Sequence, residues 1–398
     1  MNTVEVSFRD IVNLPSTNYA THNLHPYPAT FIPHVVRFVI EKYTSPGDIL
    51  FDPFAGSGTV AIEASLLGRN AVLWDLNPML GLLVRASTWK GEVPDIKVDF
   101  DYNKMFIPLW SNITYWYPKE FLQVLGRAWG YYHYAVPKEY KPLVAIPLLK
   151  VIRKYSYADK AYNFYKSKKA IEQVEMLLKT DYRHGMEEMY KAEYEKMRKK
   201  ILEYQSLKPK DVKIEVKAGV DSLTQKLDEE VDVLLTSPPY LQAQEYIRAT
   251  KLELAWLGYT ERQIRELSSK EIPYNKPLPI KIRSETYYEY LEKVKKTNHK
   301  KLINIYTTYF YSILGFLTNI NDKIRRYMTI FVGPAKIRNI RIPIDIIIKE
   351  HMEALGWKHE ITYIDTIKSR TLFKVEKNPA TGMPDERIPT EHLLVLRK

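Results

Sequence analysis

Two short segments of this chain hold residue types that could bind a ligand and act on it. The first is Leu-Thr-Ser-Pro-Pro-Tyr at 235–240, which presents a hydroxyl, two fixed carbonyls and an aromatic ring. The second is Asp-Pro-Phe-Ala-Gly-Ser-Gly-Thr at 52–59, where Gly56 and Gly58 let the backbone come close to a ligand. A Pro-Pro-Tyr turn alone is as consistent with a structural turn as with a site. The presence of both segments in one chain favours a site.

Each segment follows a predicted buried strand. Residues 231–235 are apolar and β-branched, and the prolines after them end the strand because neither can donate a ladder hydrogen bond. Residues 48–52 predict another strand, and the glycine turn after it leads into a helix over 60–67 that Gly68 ends. In open α/β sheets, ligands bind at the carboxyl ends of the strands. Both loops therefore occupy positions that suit ligand binding.

Two acidic residues follow further predicted strands. The strand at 70–75 ends at Asp75, about twenty residues after the glycines, where a carboxylate can bind both ribose hydroxyls. Asp75 could instead only cap a helix, since Asn77 and Pro78 follow it. The sheet resumes at 213–216, which brings Asp221 to another carboxyl end. The glycine turn matches neither a P-loop nor the full G-x-G-x-x-G fingerprint. The order strand, glycine turn, helix still predicts a nucleotide-type fold.

The remaining pattern predicts the fold class as α/β, with a mostly parallel sheet. Further elements are predicted as helices from Pro33 to the turn at 45–48 and at 246–258, 297–317 and 343–355, a strand at 327–333, and a loop-like segment at 259–300. Residues 360–367 and 393–397 alternate in polarity and predict a terminal antiparallel pair.

The stretch at 101–208 interrupts the α/β order. It is rich in Tyr, Trp, Lys and Arg, and its last part, 170–204, has apolar residues at helical spacing. Basic residues interleaved with aromatic ones suit nucleic acid, because cations contact phosphates and rings stack on bases. A solvated helical insertion with an ordinary aromatic core is the alternative. The candidates for nucleic-acid contact are Arg153, Lys154, Lys166 and Lys168.

Composition narrows the classes of protein. The absence of cysteine excludes disulfides, thiolate metal sites and a cysteine nucleophile. The net charge of +12 suggests a polyanionic partner. No apolar run is long enough for a membrane span and no signal-peptide pattern is present, so we expect a soluble, cytoplasmic protein without a membrane partner. Abundant Lys, Glu and Ile also suit a heat-adapted source.

The two loops together resemble those of the S-adenosylmethionine-dependent amino-methyltransferases of DNA, particularly the cytosine-N4 group. That family has a cofactor loop D-P-F-x-G-S-G-T and a catalytic loop S/D/N-P-P-Y/F, and residues 25–31 resemble its N-terminal motif. The similarity covers about 25–100, 210–258 and 325–398. It implies a class I, Rossmann-like methyltransferase fold with S-adenosylmethionine as cofactor and no metal.

The resemblance also implies roles for individual residues. Asp75 would bind the cofactor's ribose and Asp221 its adenine amino group. The residues expected around the methionine end are His25, Tyr27, Pro28, Asp52, Phe54, Gly56, Gly58 and Thr59. The catalytic loop would be Ser237, Pro238, Pro239 and Tyr240.

The catalytic loop has a chemistry that suits methylation of an amino group. An exocyclic amino group is a poor nucleophile because its lone pair delocalises into the ring. Ser237 Oγ and the Pro238 carbonyl, as two fixed acceptors, would favour a pyramidal nitrogen that can attack the methyl group. Tyr240 can stack on the base, which must leave the duplex or be single-stranded. A cytosine-C5 mechanism is excluded, since it requires a catalytic cysteine.

Several alternatives remain open at this point. Serine at 237 favours cytosine N4 over adenine N6, and the middle segment favours DNA over RNA, although RNA amino-methyltransferases have the same loops. A cognate restriction endonuclease would be the natural protein partner, and the sequence leaves the oligomeric state undetermined. The predicted organisation is an N-terminal arm and cofactor half at 1–100, a helical candidate target-recognition insertion at 101–208, and a catalytic half at 209–398.

Overall fold

The computed structural model describes residues 2–28, 30–159, 164–241, 245–366 and 390–398 of the chain. The strands are β1 (Thr3–Val6), β2 (Ile49–Asp52), β3 (Asn70–Asp75), β4 (Ile214–Ala218), β5 (Val231–Thr236), β6 (Ile324–Val332), β7 (Ala335–Ile337), β8 (Ile340–Ile342), β9 (Lys358–Thr366) and β10 (Thr390–Arg397). The helices are α1 (Phe8–Ile11), α2 (Pro33–Tyr43), α3 (Thr59–Leu67), α4 (Met79–Ser87), α5 (Ile113–Trp116), α6 (Lys119–Tyr134), α7 (Lys141–Lys154), α8 (Lys168–Leu178), α9 (Tyr182–Ser206), α10 (Tyr246–Ala249), α11 (Lys251–Trp256), α12 (Glu261–Ser269), α13 (Glu285–Lys295), α14 (Lys300–Asn319) and α15 (Ile344–Glu353).

Eight of the described strands form one sheet in the order β1-β9-β10-β6-β5-β2-β3-β4. The neighbours from β6 to β4 all pair in parallel, whereas β10 pairs antiparallel with both β6 and β9. This is the mostly parallel sheet with an antiparallel end that the sequence predicts, and it is a Rossmann-like methyltransferase fold. The terminal pair is confirmed, except that Ile367 lies outside the described residues. The sequence analysis missed β1, which pairs in parallel with β9.

The strands are apolar on both faces because helices cover both sides of the sheet. Leu50 of β2 and Leu73 of β3 pack with α2, α3 and α4, while the adjacent Phe51 and Trp74 pack with α14 and α15 on the other side. β5 divides in the same way, with Leu235 on the first face and Leu234 on the second. Such two-sided burial explains why these strands read as continuous apolar runs in the sequence.

The segment predicted to form an insertion contains the helices from α5 to α9, between β3 and β4 in the chain. Its apolar residues pack with one another and with Met79 and Leu83 of α4 and Leu252 and Trp256 of α11. The helical pattern predicted for 170–204 is confirmed by α8 and α9. The boundaries at 100 and 208 as domain limits stay a prediction.

Two predictions after the catalytic loop are wrong. The helix predicted over 246–258 is two short helices, α10 and α11, which meet at Thr250. The Thr250 hydroxyl accepts a hydrogen bond from Asn77 Nδ2 at 3.0 Å, and this tie to the loop after β3 accompanies a non-helical backbone (φ −109°, ψ 15°).

The segment at 259–300, predicted to be loop-like, contains α12 and α13. Thr260 and Gln263 form a capping box at the start of α12, a pattern that is visible in the sequence. Ser284 caps α13 through the Tyr287 N–H. The charged composition of this segment concealed two helices that lie partly exposed. In the described part of the chain, no helix has both the length and the apolar character needed to cross a membrane.

An ion pair joins the inserted helices to the helix after the catalytic loop. Arg153 at the end of α7 donates from Nε to Glu253 Oε1 at 2.5 Å and from Nη2 to Oε2 at 2.8 Å, and it also contacts the Ala249 carbonyl. Burial alone would raise the pKa of Glu253, but the charge of Arg153 and the hydrogen bonds from His25 and Arg153 outweigh it and hold that pKa at about 2. The carboxylate is therefore ionised inside the protein.

We expect Arg153→Ala to reduce the free energy of unfolding by about 3 to 5 kcal/mol, because it leaves the Glu253 carboxylate buried without its guanidinium. Urea denaturation measures this loss. Lys168→Ala is the matched control, since the Lys168 side chain is 92% exposed, and it should change stability by less than about 0.5 kcal/mol. Equal denaturation midpoints for Arg153→Ala and Lys168→Ala would contradict a structural role for the pair.

Candidate active site

The loops after β2 and β5 lie side by side, because these two strands are neighbours in the sheet. From β2 the chain moves outward through β3 and β4, then returns to the other side of β2 at β5. The strand order thus reverses between β2 and β5, the position where ligands bind in such sheets. A hydrogen bond from Thr236 Oγ1 to Asp52 Oδ1, at 2.7 Å, joins the two strand ends directly beneath the loops.

The loop after β2 has a shape that requires glycine at two positions. Gly56 has φ +54° and Gly58 has φ +85°, in the left-handed region where side chains are disfavoured. A Cβ at Gly56 would lie 3.3 Å from Cε1 of the Tyr27 ring, and one at Gly58 would lie 2.5 Å from Val84 Cγ2. The Gly56 N–H donates to Asp75 Oδ2 at 2.8 Å, and this hydrogen bond fixes the glycine loop to the end of β3.

A cavity opens where these loops meet, with about 720 Å³ of empty space including the part open to solvent. Eight of the residues predicted from sequence line it, namely Tyr27, Pro28, Phe54, Gly56, Asp75, Asp221, Ser237 and Pro239. The structure therefore brings together the glycine loop, both strand-end acids and the catalytic loop, which are far apart in the chain.

The cavity wall is acidic. Asp75 accepts backbone hydrogen bonds from Gly56 and Asn77, yet its burial still raises its pKa to about 6. Glu271, also in the wall, has its pKa raised to about 7, mainly by burial, although the Ile247 N–H donates to it at 2.8 Å. Together with Asp221, these groups would attract a ligand that carries positive charge and hydroxyl groups. Lys270, the basic side chain among the described lining residues, directs its Nζ to Glu266 at 3.2 Å.

Glu271 is a candidate site residue that the sequence analysis missed. It lies in the segment that was predicted to be loop-like, and no motif in the sequence distinguishes it from the surrounding charged residues. It lies beside α10, whose Ile247 N–H donates to it, and Tyr246 and Ile247 of that helix also line the cavity. Only contacts between distant parts of the chain identify this carboxylate.

Other predicted cofactor residues lie outside this cavity. Asp52 is 2% exposed and accepts the Thr236 hydroxyl and the Phe54 N–H behind the loop. Gly58 precedes α3, and Thr59 Oγ1 donates to the Phe31 carbonyl at 3.1 Å. His25 is buried beside a second cavity, with Nε2 at 3.5 Å from Glu253 Oε1. A direct cofactor contact by these residues stays a prediction.

The catalytic-loop residues differ in their surroundings. Ser237 is half-buried and lines the cavity with Pro239, whereas Pro238 between them is buried. The Tyr240 hydroxyl donates to Glu391 Oε1 at 2.6 Å. The loop therefore places its serine in the cavity wall, while its tyrosine is hydrogen-bonded to β10.

The four residues predicted to contact nucleic acid occupy three different settings. Arg153 and Lys154 line the second cavity with His25, and the Arg153 guanidinium is paired with Glu253 as described above. Lys166 Nζ lies 3.9 Å from the centre of the Tyr157 ring. Lys168, the first residue of α8, extends into solvent with Nζ 3.9 Å from Glu172. Of the four, Lys168 is the one most accessible to a phosphate.

The buried Asp52 carboxyl makes stability depend on pH. Burial is the main cause that raises its pKa from 3.8 to about 7, and the hydrogen bond from Thr236 offsets part of this effect. The folded protein therefore keeps this proton over pH values where the unfolded chain has lost it. The contribution of Asp52 to the free energy of unfolding is complete below about pH 4, where both states are protonated. It is lost as the pH rises to about 7.

We expect Asp52→Asn, which stays neutral and keeps an oxygen for Thr236, to reduce the loss of unfolding free energy between pH 5 and pH 8. The pKa change from 3.8 to about 7 corresponds to at most about 4 kcal/mol. Denaturation at both pH values measures the difference. Asp211→Asn, which changes a fully exposed carboxylate, is the control and should behave as wild type. Parallel pH dependences for wild type and Asp52→Asn would contradict this assignment.

Comparisons with known proteins agree with this geometry. A family model for N6/N4 methyltransferases, described as DNA methylase, matches residues 5–80, which include the glycine loop and β3. The chain is 26% identical over 293 residues to the Type II methyltransferase M.BsoBI of Geobacillus stearothermophilus, covering 64% of this chain and 56% of that protein. It is 26% identical over 193 residues to the Type II methyltransferase M.MjaII of Methanocaldococcus jannaschii, covering 48% of this chain and 31% of the relative.

A third relative matches over more of the chain. The Type II methyltransferase M.MvaI of Kocuria varians is 21% identical over 424 residues, covering 95% of this chain and 88% of its own length. The chain thus spans about half or less of the first two relatives and most of the third. Together with the two loops and the cavity between them, these matches support the amino-methyltransferase family for this chain.

Proposed function

We propose that this protein transfers a methyl group from S-adenosylmethionine to the exocyclic N4 amino group of cytosine in DNA. The observation that carries the proposal is the cavity between β2 and β5, which has Ser237 of the catalytic loop and Gly56 of the glycine loop in the same wall. A ligand in this cavity would contact both loops at once. Methyl transfer to an amino group requires such a shared position for the cofactor and the reacting base.

The residues of the cavity fit the proposed cofactor. A Cβ at Gly56 would crowd the Tyr27 ring, so glycine leaves a backbone cradle beside Tyr27 and Pro28 for the methionine end. Asp75 and Asp221 both line the cavity, and we propose that Asp75 accepts from the ribose hydroxyls and Asp221 from the adenine amino group. The acidic wall suits a ligand with a sulfonium and an ammonium group. When bound, S-adenosylmethionine would supply the activated methyl group.

The catalytic loop supplies the acceptors that the amino group needs. Ser237 lines the cavity, and the Pro238 carbonyl is followed by Pro239, so two consecutive prolines restrict the backbone here. Both oxygens would accept hydrogen bonds from the amino group, which stabilises the pyramidal nitrogen and the charge that develops on it. Because Thr236 is tied to Asp52, these acceptors keep their position relative to the cofactor loop.

The comparisons favour DNA over RNA as the substrate. The matched family model is described as DNA methylase, and the three relatives are named Type II methyltransferases. We extend these names to this chain as a proposal, together with a cognate restriction endonuclease as partner. Serine at 237 favours cytosine N4, and adenine N6 is the alternative. The target base has to leave the stack of the duplex to reach Ser237.

The inserted helices are proposed to recognise the target sequence. They pack against α4 and α11, next to the loops that follow β3 and β5. Lys168 and Lys166 are the proposed phosphate contacts, since cations on this surface would bind the backbone of DNA with a strong dependence on salt. Arg153 is less suited to this role than the sequence indicates, because its guanidinium already binds Glu253.

We expect Asp75→Ala to weaken binding of S-adenosylmethionine by about 1 to 3 kcal/mol, through loss of charge-assisted hydrogen bonds to the ribose. Isothermal titration calorimetry measures this affinity. The carboxylate has two roles, to hold the Gly56 loop and to bind the ribose. Asp75→Asn separates them, since its amide oxygen can still accept the backbone hydrogen bond from Gly56. The exposed Asp211→Ala serves as control. Wild-type affinity in both Asp75 variants would exclude Asp75 from the cofactor site.

We expect Ser237→Ala to lower the rate of methyl transfer by about two to three orders of magnitude and to leave cofactor affinity unchanged, because it removes one preorganised acceptor. The assay uses labelled cofactor with DNA and with ribosomal RNA, followed by mass spectrometry of the nucleosides. N4-methylcytosine in DNA is the expected product. N6-methyladenine as the sole product would overturn the choice of base, and modification of RNA alone would overturn the choice of DNA. Wild-type turnover by Ser237→Ala would refute the mechanism.

A further inference from the structure

The hairpin formed by β7 and β8 begins next to the catalytic loop. Thr236, the last residue of β5, is paired with Ile330 of β6, so the final two residues of β6 run beside the loop that follows β5. The hairpin starts three residues after β6 ends. It therefore leaves the sheet at the edge that carries the candidate active site.

The far end of the hairpin returns to the same place. Asp345 Oδ2, in the first turn of α15, lies 2.8 Å from His392 Nδ1, and His392 is paired with Val332, the last residue of β6. Since α15 follows β8 directly, both ends of the segment 333–343 are attached near His392. The hairpin is thus an excursion from the catalytic edge whose position is fixed at both ends.

One face of the hairpin is apolar and the other is basic. The apolar residues are buried in the core under α14 and α15, namely Ala335, Ile337 and Ile342. Arg338 at the turn and Arg341 on β8 are exposed instead. In the part of the chain that the structure describes, neither guanidinium has a hydrogen bond or an ion pair. Two positive charges are therefore open to solvent on this face.

The fold of the hairpin does not account for either arginine. Arg338 has φ +52°, a turn conformation in which glycine or asparagine is favoured. The residue directly opposite Arg341 in the strand pair is Lys336, whereas a carboxylate would be the favourable neighbour for a cation at that position. Both positions suit a surface that meets negative charge from outside the chain.

A second group of cations lies next to the hairpin, where α13 connects to α14. Thr286, at the start of α13, donates from Oγ1 to Glu350 Oε1 near the end of α15 at 2.6 Å, so α13 runs back along α15 towards β8, which it contacts. The exposed cations of this connection are Lys296, Lys300 and Lys301. None of these three ammonium groups is paired with a carboxylate of the described residues.

Together these side chains form one surface, which we call the hairpin edge. It consists of Lys296, Lys300, Lys301, Arg338 and Arg341. We propose that the hairpin edge binds backbone phosphates of the DNA duplex beside the base to be methylated. The inference rests on the proposed function, because it needs a duplex at the catalytic loop.

The distribution of charge favours a duplex over a small anion. The cations belong to two separate segments and do not converge on one point, which suits a row of phosphates more than a single one. The sheet places β5 between β6, which leads to the hairpin edge, and β3, which leads to α4 and the inserted helices packed on it. A duplex bound by both surfaces would be held on either side of the catalytic loop.

The test measures binding of a fluorescent mixed-sequence DNA duplex by anisotropy at several salt concentrations, without cofactor. Arg338→Ala/Arg341→Ala should lower the slope of log affinity against log salt by about two and weaken binding at least about 10-fold at low salt, because each lost phosphate contact releases about one counterion fewer. Arg338→Lys/Arg341→Lys should stay within about 2-fold of wild type, since lysine also binds phosphate as a point charge.

The matched control is Lys323→Ala/Arg325→Ala. It removes the same two charges at the opposite end of β6, away from the catalytic edge, and should leave the salt slope unchanged. Equal losses of slope in the two alanine pairs would indicate an effect of net charge alone and overturn the proposal. A wild-type slope in Arg338→Ala/Arg341→Ala would overturn it as well.

Methylation of genomic DNA separates this inference from the proposed function. Arg338→Ala/Arg341→Ala should raise KM for DNA roughly 10-fold and leave kcat near wild type, since these cations do not touch the reacting atoms. Methylation by the wild type with an unchanged salt slope in the variant would refute the hairpin edge alone. Binding through the hairpin edge by a protein that methylates no nucleic acid would support the surface and refute the proposed function. Tighter binding of duplex RNA, lost in the variant, would overturn DNA as the partner.

Discussion

The hydrogen bond between Thr236 and Asp52 is the contact on which the proposed site depends. It joins the last residues of β5 and β2, so the catalytic loop and the glycine loop leave the sheet from one fixed point. Thr236 and Asp52 are both buried, and the bond is therefore protected from competition with water. The loops above it can be short and still keep their relative position, because the sheet and not the loops sets the distance between them.

Two buried carboxylates outside the cavity wall are held by cationic partners. Glu63 of α3 is paired with Arg37 at 2.8 Å and His22 at 2.7 Å, and Glu253 is paired with Arg153. Burial would raise the pKa of each, but the cationic and hydrogen-bonding partners outweigh it and lower both values. These ionised carboxylates hold the N-terminal arm and the inserted helices to the catalytic face.

Asp75 and Glu271 in the cavity wall, and Asp52 behind the glycine loop, accept hydrogen bonds but form no ion pair with any described residue. For Asp52, Asp75 and Glu271 the effect of burial prevails, and each pKa is raised to about 6 or 7. Such groups destabilise the folded protein near neutral pH, so the fold alone does not account for them. A cationic ligand with hydroxyl groups would bind Asp75 and Glu271 in the cavity wall favourably, which agrees with the cofactor that we propose.

The sequence by itself determined the features that depend on neighbouring residues. The two prolines end β5, the glycines make the turn after β2, and continuous apolar runs define the central strands, since each of these effects acts over a few positions. This was sufficient to predict the α/β class, both loops and the two strand-end acids that line the cavity. The same local reasoning failed for α12 and α13, where a charged surface concealed the helical pattern and only the capping box signalled a helix.

Only the tertiary structure decided which distant side chains meet. Glu271 in the cavity wall, Glu391 on Tyr240 and Glu253 on Arg153 are contacts across large separations in the chain, and a charged residue in the sequence carries no sign of its partner. Arg153 is an example. The sequence predicts it as a nucleic-acid contact because aromatic residues lie near it, whereas the structure shows that its guanidinium binds Glu253. Charge is a local property of a residue, but whether that charge is paired, buried or free to bind a ligand depends on how the whole chain folds.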